Sequence, residues 1–102
     1  MGLFKISEKI DNWIDSRGIT ANGTPLGQAS KTLEEVAELV SAISAKDIEE
    51  MADAIGDIYV TLRAVCKVSD LNFESCVARA WEEIKDRKGY LRADGVFVKE
   101  EV

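Results

Sequence analysis

Glu34-Glu35-Val36-Ala37-Glu38, then Glu49-Glu50-Met51-Ala52-Asp53 with Asp57 just beyond, is the stretch on which the reading of this chain turns. At about 100° per residue, Glu34, Glu35 and Glu38 fall within roughly a third of a helix circumference. Leu33, Val36, Ala37, Leu39, Val40 and Ile43 take the other side. The second segment repeats the arrangement. Glu50, Asp53 and Asp57 stand at i, i+3 and i+7, while Ile48, Met51, Ile55, Ile58 and Leu62 form a separate stripe. Lys46-Asp47 makes a tight link, which would set the two helices antiparallel with their carboxylates facing.

Facing carboxylates have to be neutralised. Two like charges about 6 Å apart in a medium of effective dielectric about 20 repel by about 3 kcal/mol before salt screening. Several such pairs across a closed seam call for protons or cations. Mg²⁺ suits oxygen ligands and keeps waters for a phosphate substrate, with Mn²⁺ as a substitute. A single acidic cluster on a helix reads more readily as a solvated face. Two on consecutive helices, with Asp53 and Asp57 beside the most apolar part of the chain, favour a metal site.

The 102 residues, 46% of them hydrophobic, fit one domain spanning 1–102. A monomer of this size buries only about 60–65% of its unfolded surface, so association would help it. There is no signal-peptide pattern and no apolar run long enough to cross a membrane, and a cytoplasmic location is expected. With no histidine, a zinc site of the usual kind is excluded, and Cys66 and Cys76 read as buried reduced thiols. The net charge of −6 argues against a nucleic-acid or acidic-membrane binder. Nucleotide binding stays open, because a metal ion can bridge two anions.

Periodicity predicts four helices, over about 3–16, 25–44, 47–68 and 73–88, with residues 17–23 a loop and 89–102 a tail. The first carries Leu3, Ile6, Ile10 and Trp13 on one stripe. Thr24-Pro25 reads as an N-cap with proline at the first helical position, and Asp47 caps the third helix. The last helix would bury Phe73, Cys76, Val77, Ala80, Trp81 and Ile84, with Gly89 as its stop. In the tail, Asp94-Gly95 between short apolar runs signals a hairpin, which must pack on something to be stable. The run Ile58-Tyr59-Val60-Thr61-Leu62-Arg63-Ala64-Val65-Cys66 is apolar almost all round, which points to a subunit interface and a homo-oligomer, dimer or tetramer.

Lys31-Thr32-Leu33-Glu34-Glu35-Val36-Ala37-Glu38-Leu39, followed by Glu50-Met51-Ala52-Asp53, resembles the EExxE…ExxD signature of the MazG-like, all-α nucleoside triphosphate pyrophosphohydrolases, and most closely their small single-domain bacterial members. The resemblance runs from about 23 to 89. It implies an all-α, four-helix bundle-like fold with a short C-terminal hairpin or extended tail. It makes Glu35, Glu38, Glu50 and Asp53 the metal ligands. A second register is possible, in which Asp57 takes the place of Asp53 but Ala54 falls where a Glu is expected. The first register is preferred, with Asp57 as a further ligand one turn along.

The implied reaction is Mg²⁺-dependent hydrolysis of (deoxy)nucleoside triphosphates to monophosphate and pyrophosphate, as nucleotide-pool house-cleaning. Glu34, Glu38 and Asp57 are the candidates for accepting the proton of the attacking water. Lys31, one turn before the acidic cluster, would face the phosphates, as would Lys85, Arg87 and Lys88, where Ile84-Lys85-Asp86-Arg87-Lys88-Gly89 is similar to the family's basic motif. Lys31 could equally be an i,i+4 partner of Glu35, and the other three could be favourable charge at a helix C-terminus. For the base, Trp13 is the aromatic candidate, with Asn12 or Gln28 as hydrogen-bonding partners. Trp13 also continues an apolar stripe and reads more readily as core. A phosphoribosyl-ATP pyrophosphatase is the related alternative, ranked lower because Gly56-Asp57-Ile58-Tyr59-Val60 lacks that group's histidine. A non-catalytic adaptor whose acidic faces bind a basic protein is the alternative from another class.

Overall fold

A computed structural model describes residues 1–100 as five helices and a hairpin. These are α1 (Leu3–Ser16), α2 (Ile19–Asn22), α3 (Pro25–Ser44), α4 (Ile48–Val68), α5 (Phe73–Ile84), β1 (Gly89–Leu91) and β2 (Phe97–Lys99). The fold is all-α with a short antiparallel hairpin at its C-terminal end. Residues 101–102 of the expected tail lie outside the described residues.

Local chemistry sets the long helices. The Thr24 hydroxyl accepts from the Gly27 N–H at 3.0 Å, with Pro25 at the first helical position. Asp47 accepts from the Glu50 N–H at 3.1 Å and so begins α4. Between them Lys46 sits at φ 57°, the left-handed conformation that lets one residue reverse the chain. α4 is the hub, and α1, α2, α3 and α5 all pack against it.

The α3–α4 seam is built from small and polar groups. Ala42 and Ala54 are buried, and Thr61 lies beneath Thr32, whose hydroxyl is 2.8 Å from the Thr61 hydroxyl. On its other side α4 buries Arg63. The guanidinium meets Asp11 of α1 through two bonds of 2.7 Å, Glu74 of α5 at 3.1 Å and the Tyr59 hydroxyl at 3.2 Å. It also lies over the Phe73 ring, 4.9 Å from its centroid. One buried cation therefore ties α1, α4 and α5 together. Nearby, the Ser7 and Tyr59 hydroxyls pair at 2.6 Å, and Lys67 reaches Asp15 at 3.1 Å.

Several expectations need correcting. Residues 17–23 are not a plain loop, because the chain breaks at Gly18 and then makes the helical turn α2. The last helix stops at Ile84 rather than Lys88, since the Lys88 carbonyl is recruited by the Glu100 N–H at 2.7 Å and belongs to the hairpin. Gly89 is accordingly a strand residue. A Cβ there would come within 2.1 Å of the Val98 carbonyl oxygen, so the close approach of the strands needs glycine. The hairpin turns through Ala93-Asp94-Gly95, with Gly95 at φ 87° and its N–H bonded to the Arg92 carbonyl at 2.9 Å. Among the described residues its strands pack only on one another, and no other helix or strand supplies the partner expected for the hairpin.

The apolar stripes are the larger correction. α1 buries Ser7 and Ile14, leaving Leu3 and Ile6 exposed and Trp13 half in solvent beneath the Arg17 guanidinium. α5 meets α4 only near its start, so Cys76, Val77, Trp81 and Ile84 are exposed and only Cys66 of the two thiols is buried. Burial pushes the Cys66 thiol above its usual pKa. Leu33, Val36, Val40 and Ile43 on α3, and Ile48, Ile55 and Leu62 on α4, are also exposed. The accessible surface is 7847 Å², where a compact 11.2 kDa monomer would show about 5,700 Å². The radius of gyration is 16.0 Å against about 13 Å for a compact chain of this length.

The Arg63 cluster makes a sharp stability prediction. Asp11→Asn removes the charge that neutralises a buried guanidinium, and should cost about 3 kcal/mol in urea denaturation, the low end for a buried pair because Asp11 is partly exposed. A loss under about 1 kcal/mol would show that the pair behaves as a surface one. Lys46→Gly, by contrast, should stabilise by about 1 kcal/mol through relief of the left-handed backbone. A lower melting midpoint in that variant would contradict the assignment of strain.

Candidate metal centre

Antiparallel packing of α3 and α4 brings Glu35 opposite Asp57, with Glu38 one turn along α3. One carboxylate oxygen from each of Glu35, Glu38 and Asp57 lies within 4.8 Å of the others. Among the described residues this is the only trio of acidic or thiol ligands so gathered. Glu35 is half-buried in the seam, while Glu38 and Asp57 open to solvent. The Glu35 Oε2 atom is buried and has no hydrogen-bond partner. A polar oxygen left so costs free energy unless something satisfies it, and a hard cation would do so.

The electrostatics agree with the geometry. Burial, followed by the hydrogen bond with Glu38 and the charges of Glu38 and Asp57, pushes the Glu35 carboxyl above its usual range, with Lys31 opposing. Oxygen-only donors, one half-buried and two accessible, fit Mg²⁺ or Mn²⁺. They fit zinc poorly.

The other residues singled out from the sequence are placed as follows. Glu50 does not join the trio. It lines a cavity of about 500 Å³ with Glu38, Ser41 and Asp47, further toward the α3–α4 link. Asp53 is exposed on α4, one turn before Asp57 and outside the trio. The close grouping thus takes in Asp57, the further ligand one turn along, and leaves Asp53 and Glu50 outside it. Glu34 points outward and is held by Lys31 at 2.9 Å, so Lys31 pairs at i+3 rather than with Glu35. Glu34, the bonded partner, is the main reason the Lys31 ammonium pKa is raised, and Glu35 and Glu38 add to it. Lys85 is bound to Glu82 at 2.7 Å. Arg87 and Lys88 line a cavity of about 300 Å³ with Glu83, Asp86, Lys99 and Glu100 at the base of the hairpin, with none of the trio among its walls. Asn12 is exposed, and Gln28 is half-buried one turn before Thr32.

Sequence reading missed the group around Arg63. The signal was present: a lone arginine inside an apolar helical run implies a buried partner. Beside that group lies an apolar cavity of about 430 Å³, walled by Leu3, Phe4, Tyr59, Phe73 and Val77. Tyr59 and Phe73 meet edge to face there, with ring centroids 5.2 Å apart.

The comparisons with known proteins fall on the same segment. The family model for the MazG nucleotide pyrophosphohydrolase domain matches residues 24–91, two thirds of the chain, and so contains α3, α4, α5 and the whole trio. The chain is 27% identical over 70 residues to an uncharacterized 18.2 kDa protein in the rep-hol intergenic region of Haemophilus phage HP1 (strain HP1c1). That alignment covers 69% of this chain and 43% of the phage protein, so the chain spans less than half the length of that relative. No solved structure matches.

The raised Glu35 carboxyl sets a pH dependence for the metal-free protein. A carboxyl whose pKa is higher folded than unfolded makes the native state bind more protons, so stability falls as pH rises through the window between the two values. That window opens near 4.5, the ordinary glutamate value, whereas Asp15, held low by Thr20 and Lys67, titrates below it. Metal-free wild type should therefore lose more stability than Glu35→Gln between about pH 4.5 and neutrality. Equal losses in denaturant titrations would mean that Glu35 carries no such penalty.

Proposed function

The chain belongs to the MazG nucleotide pyrophosphohydrolase family, and from that premise we propose that it hydrolyses (deoxy)nucleoside triphosphates to monophosphate and pyrophosphate with Mg²⁺ held by Glu35, Glu38 and Asp57. The observation that carries the reading is the orphaned Glu35 oxygen, buried within 4.8 Å of two further carboxylates. When bound, the divalent ion would neutralise phosphate charge and lower the pKa of a water nucleophile.

The chain's own groups have the remaining work. Lys31 carries a positive charge at the mouth of the trio, and its exposed pair with Glu34 is of the kind that costs little to break. It can turn to a phosphate oxygen. Releasing it would free Glu34 to accept a proton at the same mouth. Glu50 and Asp53 flank the trio along α4 and give further oxygen donors toward the link. The product of a pool-cleaning reaction of this kind is a monophosphate that can no longer be polymerised.

Assembly as a homo-oligomer completes the proposal. At about 100° per residue, the exposed stripe of α3 lies about a right angle from its seam with α4, and that of α4 the same rotation from the seam. Because the helices are antiparallel, both stripes fall on one side of the pair, away from Glu34 and Glu38. Leu33, Val36, Val40, Ile43, Ile48, Ile55 and Leu62 thus make one apolar face. The surplus surface of about 2,000 Å² exceeds the roughly 800 Å² per partner of a standard interface.

Two experiments test these readings. Pyrophosphate release from ribo- and deoxynucleoside triphosphates should require Mg²⁺, stop with EDTA, and fall at least about 100-fold in Glu38→Gln and Asp57→Asn, as expected when a metal ligand is lost. Unchanged turnover in both variants would refute the site, and release only from phosphoribosyl-ATP would reassign the substrate. Val40→Asp should halve the mass measured by light scattering, and a monomeric wild type would refute the assembly.

A further inference from the structure

We propose that Thr32 and Thr61 are positioning residues for the metal centre, forming a hydroxyl relay that holds Glu35 and Asp57 together before any ion arrives. This rests on the metal reading above. Thr61 is buried and its hydroxyl donates to the Ile58 carbonyl at 2.8 Å, in the backbone turn that follows Asp57. With its only hydrogen used there, the Thr61 oxygen accepts from the Thr32 hydroxyl, also at 2.8 Å. The Gln28 carbonyl, at 3.3 Å, is the poorer acceptor for Thr32. The relay therefore runs from the α3 turn before Glu35 to the α4 backbone beside Asp57. Among the described residues it is the only side-chain hydrogen bond joining α3 to α4.

Its position gives it a function beyond packing. One turn along the seam, the carboxylates repel and would splay the helices in the metal-free protein. A tie between α3 and α4 at that point opposes the splay, so that the ion meets ligands already in place rather than having to gather them. A neutral hydroxyl pair suits the task, since a salt bridge there would compete with the ligands for the cation.

The test separates positioning from packing by opposing two conservative substitutions in the full chain. Thr61→Val keeps the shape and loses the hydroxyl, while Thr61→Ser keeps the hydroxyl and loses a methyl group. Mn²⁺ binding, followed by the electron paramagnetic resonance of the free ion, should weaken about 5- to 10-fold in Thr61→Val, the factor expected for one neutral hydrogen bond. Thr61→Ser should bind like wild type even though it melts lower than wild type. Thr32→Val, at a less buried position, should weaken binding similarly and guards against a Thr61 variant that fails to fold. Wild-type affinity in both valine variants overturns the relay while leaving the metal site standing. An unmutated chain that binds no Mn²⁺ overturns the metal reading, and the relay with it.

Discussion

Three carboxylates in the seam between two antiparallel helices form the constraint around which this chain is organised. α3 and α4 can approach closely because the seam is lined by Ala42, Ala54, Thr32 and Thr61 rather than by large side chains. That approach brings Glu35, Glu38 and Asp57 within one coordination sphere of each other. It also raises the Glu35 carboxyl and leaves one of its oxygens without a partner. Stability on its own would favour an apolar seam here, so the charge is the part that needs a functional explanation.

A second device anchors the rest of the molecule to α4. Arg63 is buried yet doubly bonded to Asp11, bonded to Glu74 and Tyr59, and covered by the Phe73 ring. It does for α1 and α5 what small residues do for α3. The two devices lie on opposite faces of one helix, so α4 carries both the acidic site and the frame that supports it. Phe73 apart, the largest apolar side chains serve neither, which is why the chain exposes so much hydrophobic surface.

The sequence made the long helices legible because their signals are local. Thr24-Pro25 and Asp47 mark helix starts through side-chain capping, and the i, i+3, i+7 spacing of acids survives folding unchanged. The family was equally readable from the acidic pattern, and the family model covers that pattern. Two things were not readable. An apolar stripe shows that a face wants to be buried, but not whether its partner lies within the same chain, so Trp81 and Val77 looked like core and are exposed. Register between helices is also non-local. Asp53 and Asp57 lie only about 40° apart on a helical wheel, and the packing of α3 along α4 decides which one meets Glu35.

The central claim is that the trio is a divalent-metal site, and the most direct measurement is an anomalous difference map from crystals grown with Mn²⁺. The account predicts a peak within about 2.5 Å of oxygens from Glu35, Glu38 and Asp57, the bonding range of hard cations. A peak at Glu50 and Asp53 that leaves Asp57 and Glu35 unligated, or no peak in a well-ordered seam, would contradict it.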